Sequence, residues 1–438
     1  MASSPWARGP GLALGARALA LPLQVVVTVG TTRLILDGLG VAGFAAFAVL
    51  VSLPNLISFA GVGIGAALTD TVAGRGGEGS PSVARVLLTS LRVAVLVGLG
   101  IALVSLVISV VGGWPALLGV EPQPGLNLGT GLALGLFGLF VPFSLGQSIL
   151  LGAQRNHLSI LFQSIGALVG LGGVALAHAL EASFAAYAVA PYVGLLTGAV
   201  LSVIAAQRVP SVAFGWACRN LLRPVRGERI RHLSGAMTWI VIFSTIATQS
   251  DRLVLGHLST ETEVAVYAVA LSLLSACISL IQAAGLSLWP VFAEDRWQVR
   301  GLDRSRFRRI QGVFAAGGVL MLVGFVVLGP WLTQWISNGQ SGSSLTLSAW
   351  FGLLALLQAV WWPIGMLLTD AAGLRGQAWA NLAAATINIA VSVALAARFG
   401  AMGPVVGTIV GTAVLIVWGR RQLPSRLVSR HSENERVP

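Results

Sequence analysis

Twelve apolar runs dominate the chain, each near or above the about 20 residues that a helix needs to cross the hydrocarbon of a bilayer. Backbone N–H and C=O groups find no water at that depth, so each run is expected to close its hydrogen bonds internally as an α-helix. The runs lie at roughly 14–36, 42–68, 86–110, 127–151, 157–179, 184–206, 234–256, 264–290, 310–335, 345–369, 377–397 and 402–420. Longer connections are expected at 69–85, 111–126, 207–233, 291–309 and 336–344. Only 10% of residues are charged and mean hydropathy is +0.85, whereas a soluble chain carries about 25% charge. The expected class is an all-α polytopic membrane protein, and an ordinary soluble fold is excluded.

Arginine placement orients the runs. There is no lysine, and the formal net charge is +12. With the N-terminus inside, almost every arginine falls on the cytoplasmic side, including Arg155, Arg208, Arg219 to Arg231, the group from Arg296 to Arg309, Arg375 and those of the tail. Only Arg33, Arg252 and Arg398 fall towards the other side. This asymmetry is the positive-inside rule, and it predicts a multi-pass protein of the bacterial inner (plasma) membrane with both termini cytoplasmic. The positive charge therefore records topology, and no aromatic-interleaved basic domain points to nucleic acid. Arg304, Arg306, Arg308 and Arg309 also admit a second reading, as a grip on anionic lipid headgroups.

One short string occurs twice. Aligning Arg33 with Arg252 sets Leu34, Ile35 and Leu36 over Leu253, Val254 and Leu255, an offset of 219 in a chain of 438 residues. Phe47-Ala-Val then matches Tyr267-Ala-Val, and short polar turns follow the fourth and tenth runs, at Leu151–Arg155 and Leu368–Arg375. Parallel repeats of six spans are the expected organisation. The expected divisions are an N-terminal lobe at 1–206, a basic cytoplasmic linker at 207–233, a C-terminal lobe at 234–422 and a cytoplasmic tail at 423–438. Gly61 and Gly65, and Gly403, Gly407 and Gly411, recur every four residues, a spacing that lets helices approach closely in lipid.

Several stretches resemble a known family. Asp251-Arg-Leu-Val-Leu-Gly256, Val266-Tyr-Ala-Val-Ala270 and Leu288-Trp-Pro290 with Glu294 are similar to the seventh-to-eighth-span region of Wzx-type polysaccharide (O-antigen) flippases. Asn381 to Asn388, followed by Arg398-Phe-Gly-Ala-Met-Gly403, resembles their eleventh-to-twelfth-span region. These flippases belong to the multidrug/oligosaccharidyl-lipid/polysaccharide exporter superfamily. The resemblance implies two six-helix lobes around a central cavity. It also implies that an undecaprenyl-diphosphate-linked oligosaccharide crosses from the cytoplasmic to the outer leaflet by alternating access. Its expected partners are that lipid-linked substrate, membrane lipids and polysaccharide polymerase machinery. The chain departs from its relatives at Leu39–Phe44, which lacks their acidic residue, and intramembrane carboxylates are scarce.

No enzyme constellation is present. Glu294 and Asp295 are the only adjacent carboxylates and sit beside Arg296; the five His are scattered, and Cys218 and Cys277 are isolated. No metal site, cofactor or catalytic residue is expected. Charge inside the membrane is the better guide, because it is costly and faces a partner or a cavity. Arg33 and Arg252 either snorkel to the interface or line the cavity, where their guanidinium forks suit a diphosphate. Asp37 lies four residues after Arg33 on the same helical face, while Asp251 points about 100° away from Arg252. Arg252, Arg33, Asp251, Asp37, Asn55, Gln147, Gln249, Gln282 and Asn388 form the expected substrate-contacting set, with interhelical hydrogen bonding as the competing role of the amides. Two other functions stand beside the flippase. One is a cation-coupled drug or metabolite extruder of the same superfamily, which needs a titratable carboxylate within a lobe. The other is a membrane-embedded glycosyltransferase or polymerase, for which an acidic pair or an extramembrane domain is missing.

Overall fold

The computed structural model describes residues 8–57, 65, 68–69, 71–72, 81–209, 212–223, 235–297, 302–425 and 427–428. Arg75, Arg226, Arg229, Arg231 and the end of the tail lie outside these residues. The chain divides into two compact units, Met1–Thr238 and Trp239–Pro438. Helices make up nearly all of the described chain. In the first unit they are α1 (Arg8–Ile57), α2 (Pro81–Val111), α3 (Trp114–Leu118), α4 (Leu126–Phe143), α5 (Leu145–Gly152), α6 (Asn156–Ala179), α7 (Phe184–Ala206) and α8 (Phe214–Arg219). Then come α9 (Gly235–Leu258), α10 (Glu261–Trp297), α11 (Arg304–Ile336), α12 (Leu345–Leu367), α13 (Ala371–Phe399) and α14 (Met402–Gln422). A two-residue parallel pairing sets β1 (Leu302–Asp303) beside β2 (Leu427–Val428).

Ten helices among the described residues are long and apolar enough to cross a membrane, against the twelve runs expected. Two local causes account for the difference. The first two runs lie end to end in α1 as two helices that meet at Gly40, where φ is +70°, the backbone leaves the helical conformation and a side chain would be strained. The seventh run, α9, is a full-length helix diluted by the consecutive polar residues Gln249, Ser250, Asp251 and Arg252. Four expected connections also contain helix: α2 begins at Pro81 inside 69–85, α3 lies within 111–126, and 207–233 and 291–309 follow the same pattern. Within 291–309, residues up to Trp297 belong to α10 and those from Arg304 onwards to α11, because hydropathy marks the edge of hydrocarbon while helix formers carry both helices past it. Within 207–233, α8 is tied to α2 by Arg92, which donates to the carbonyls of Leu221 (2.9 Å) and Asn220 (3.0 Å).

Packing repeats between the units. In the first, α6 packs on α7 and α2 on α4; in the second, α13 packs on α14 and α11 on α12. Glycine makes the approach possible in each case. A Cβ on Gly166 or Gly194 would strike the other residue's carbonyl oxygen across the α6–α7 contact. At α13–α14 a Cβ on Gly403 would come within 2.6 Å of the Ala396 nitrogen. On α11, by contrast, Gly312 and Gly324 have open space where a side chain would be.

Gly403→Val should therefore cost about 1–3 kcal/mol, the usual range for overpacking. Gly324→Ala should be neutral or slightly stabilising, since Ala is the better helix former. Thermal unfolding of the purified proteins in one detergent distinguishes the two, and equal transitions would refute this reading of the glycines.

Candidate functional site

Among the described residues, the second unit encloses one charged side chain almost completely. Asp251 on α9 is only 1% exposed, and three other helices bring hydroxyl groups to it. The Tyr267 hydroxyl of α10 donates to Oδ2 at 2.8 Å, and the Thr408 hydroxyl of α14 approaches the same oxygen at 3.0 Å. Ser392 of α13 reaches Oδ1 at 3.5 Å. Asn388, one helical turn before Ser392, extends the network. Its Oδ1 accepts from Ser392 at 2.9 Å, while its Nδ2 donates to the Ala247 carbonyl at 2.8 Å and approaches the Thr408 hydroxyl at 3.3 Å.

Each partner is held in place by its own helix. Asn388 and Ser392 are four residues apart and so share a face of α13. Gly407 lets α14 come close enough for Thr408 to reach Asp251; a Cβ there would lie 2.7 Å from both the backbone and side-chain oxygens of Asn388. The Tyr267 ring rests against Phe351 of α12, with centroids 5.6 Å apart. Thr408 has a single proton, which it divides between Asp251 and the Pro404 carbonyl 3.1 Å away. The arrangement gives a carboxylate with fixed oxygen and amide neighbours, suited to exchanging a proton or holding a small cation without large movement.

Of the expected site residues, Asp251 and Asn388 join this hydrogen-bond network. Arg252 is half-buried on the turn beside Asp251, and Arg33 is half-buried in the first unit, where Asp37 is exposed. Gln147 and Gln249 are half-buried and Gln282 is exposed, and none of the three joins the network. The side chain of Asn55 lies outside the described residues. Among the described residues, no three His, Cys, Asp or Glu side chains converge as a metal group.

Tyr267, Ser392 and Thr408 were not anticipated as site residues. Their signals are faint: two polar residues four apart in α13, and a threonine after Gly407 in a glycine-spaced helix. The repeat adds a contrast. At an offset of 219 Asp251 corresponds to Thr32, and at 220 Tyr267 corresponds to Phe47, both buried. The first unit therefore lacks the carboxylate and the phenol at the equivalent places.

This helical architecture is similar in fold to several solved membrane-transporter structures. Three solved structures make the likeness specific. The lipid II flippase MurJ in an inward closed conformation aligns at TM-score 0.70 and 14% identity, over 96% of this chain and 88% of that one. A multidrug resistance MATE transporter in an inward-facing conformation aligns at 0.67 and 15%, over 92% and 95%. A Vibrio cholerae MATE transporter aligns at 0.59 and 15%, over 95% and 98%. No protein-family model and no curated protein matches the sequence.

Tyr267→Phe removes one donor from a buried carboxylate, a change that typically costs about 1–3 kcal/mol. Its thermal unfolding transition should fall below that of the wild type, and so should that of Thr408→Val. Unchanged transitions in both would show that the network does not stabilise the unit.

Proposed function

We propose that the protein is a flippase that moves an undecaprenyl-diphosphate-linked oligosaccharide from the cytoplasmic to the outer leaflet of the inner membrane. The observation that carries this reading is the overlay on a lipid II flippase, which spans 96% of the chain at TM-score 0.70. The likeness to Wzx-type flippases at Asp251–Gly256 and Asn381–Gly403 supports the same substrate class. Arg252, with Arg33 at the equivalent place in the other repeat, contacts the diphosphate as it passes. A guanidinium presents paired donors to phosphate oxygens, which a lysine ammonium cannot reproduce. The two repeats act as lobes, joined by the segment around 207–233.

A second reading has its own support. Asp251 is held inside one unit by hydroxyls from three other helices, as ion coupling in an extruder of this fold would require. The flippase reading accommodates the same residue as the point where an ion gradient drives transport.

Substitutions at two positions separate these roles in a flipping assay with reconstituted vesicles at matched protein. Arg252→Ala and Arg252→Lys should each lower flipping at least tenfold; full activity in both would remove Arg252 from the mechanism. Asp251→Asn keeps the shape but loses the charge, and should abolish the dependence of transport on a proton or sodium gradient. Gradient-dependent transport at the wild-type rate would exclude a coupling role for Asp251. Extrusion of a cationic dye with no flipping of a prenyl-diphosphate-linked sugar would favour the extruder.

A further inference from the structure

Helix α11 carries an outward-facing stripe that runs its full length. Val313, Leu320 and Val327 are 68%, 73% and 66% exposed and recur every seven residues along one side. At one end the same side continues into Arg306 and Arg309, both exposed; at the other it reaches Trp331, 61% exposed and stacked on Trp335. From Arg309 to Trp331 the helix rises about 33 Å, close to the about 30 Å of bilayer hydrocarbon. The apolar middle therefore faces lipid, the tryptophans lie at one headgroup layer and the arginines at the other.

The arginines form a patch on two helices. Exposed Arg304 and Arg308 occupy the same first turns of α11, and exposed Arg420 and Arg421 end α14. Buried Phe307, packed with Ile416 and Leu423, and the pairing of β1 with β2 hold these two helix ends together. Helix stability does not account for the arginines of α11, because cations oppose the dipole at a helix N-terminus. Arginine distribution assigns this end to the cytoplasmic leaflet, whose anionic headgroups are complementary to the patch.

We propose that the arginine patch of α11 and α14 is a binding surface for anionic phospholipid of the cytoplasmic leaflet, with Arg306 and Arg309 as its principal phosphate contacts. It goes beyond retention of positive charge on one side, because it predicts selective lipid binding by protein already inserted. It is independent of which substrate the protein carries.

Native mass spectrometry of the full-length protein, released from detergent with equal phosphatidylglycerol and phosphatidylcholine, tests the proposal. The wild type should retain phosphatidylglycerol at least threefold over phosphatidylcholine. The double variant Arg306→Gln, Arg309→Gln should lose most of that preference, Arg306→Lys with Arg309→Lys should keep part of it, and Arg398→Gln should leave it intact. No preference in the wild type, or an undiminished preference in the glutamine variant, would overturn the proposal. Farnesyl diphosphate displacing phosphatidylglycerol at lower concentration than phosphatidylglycerol itself would reassign the patch to prenyl diphosphates and also overturn it. The wild-type comparison decides the matter even if a variant fails to insert.

Discussion

A bilayer offers its interior no hydrogen-bonding solvent, and the architecture follows from that absence. Every backbone group at that depth must find its partner within the chain, which leaves helices as the spanning element here. Lipid tails are as apolar as leucine, so the helices gain little by hiding apolar faces from them and must associate through close contact. The glycines at α6–α7 and α13–α14 supply that contact, and the same constraint explains the treatment of Asp251. A charge placed in such a medium must bring its own solvation shell, and the hydroxyls of Tyr267, Ser392 and Thr408 are that shell.

The helices were largely legible in the sequence because hydrophobic run length is a direct physical readout of membrane thickness. The bounds of α7, expected at 184–206 and found at Phe184–Ala206, illustrate this. Reading failed where hydropathy and helicity part company. The helical N-terminus of α11 is rich in arginine and was assigned to a connection, and α8 is too short to leave a periodic signal. Gly40, by contrast, falls in the short connection expected between the first two runs, and its backbone there is non-helical, so that two helices meet at it.

The site was less legible. Asp251 was noticed for its charge, but its environment is assembled from residues 16, 141 and 157 positions away in the chain. Serine and threonine are common in membrane helices, so composition does not mark Ser392 or Thr408. Only the approach of α14 at Gly407 makes them neighbours. The placement of Arg252 next to a buried carboxylate also changes its setting: the two residues were read as pointing apart, and the structure sends Asp251 into the unit and leaves Arg252 half-buried beside it.

Duplication ordinarily yields paired features, and among the described residues the buried carboxylate exists in one copy, with Thr32 standing at the matching position of the first repeat. One carboxyl group can take up or release one elementary charge. Transport driven through this network is therefore limited to a single charge per turnover, worth about 2.3 kcal/mol for each 100 mV of membrane potential. The electrical part of such a drive alone, at 100 mV, supports an accumulation of about fiftyfold for an uncharged cargo.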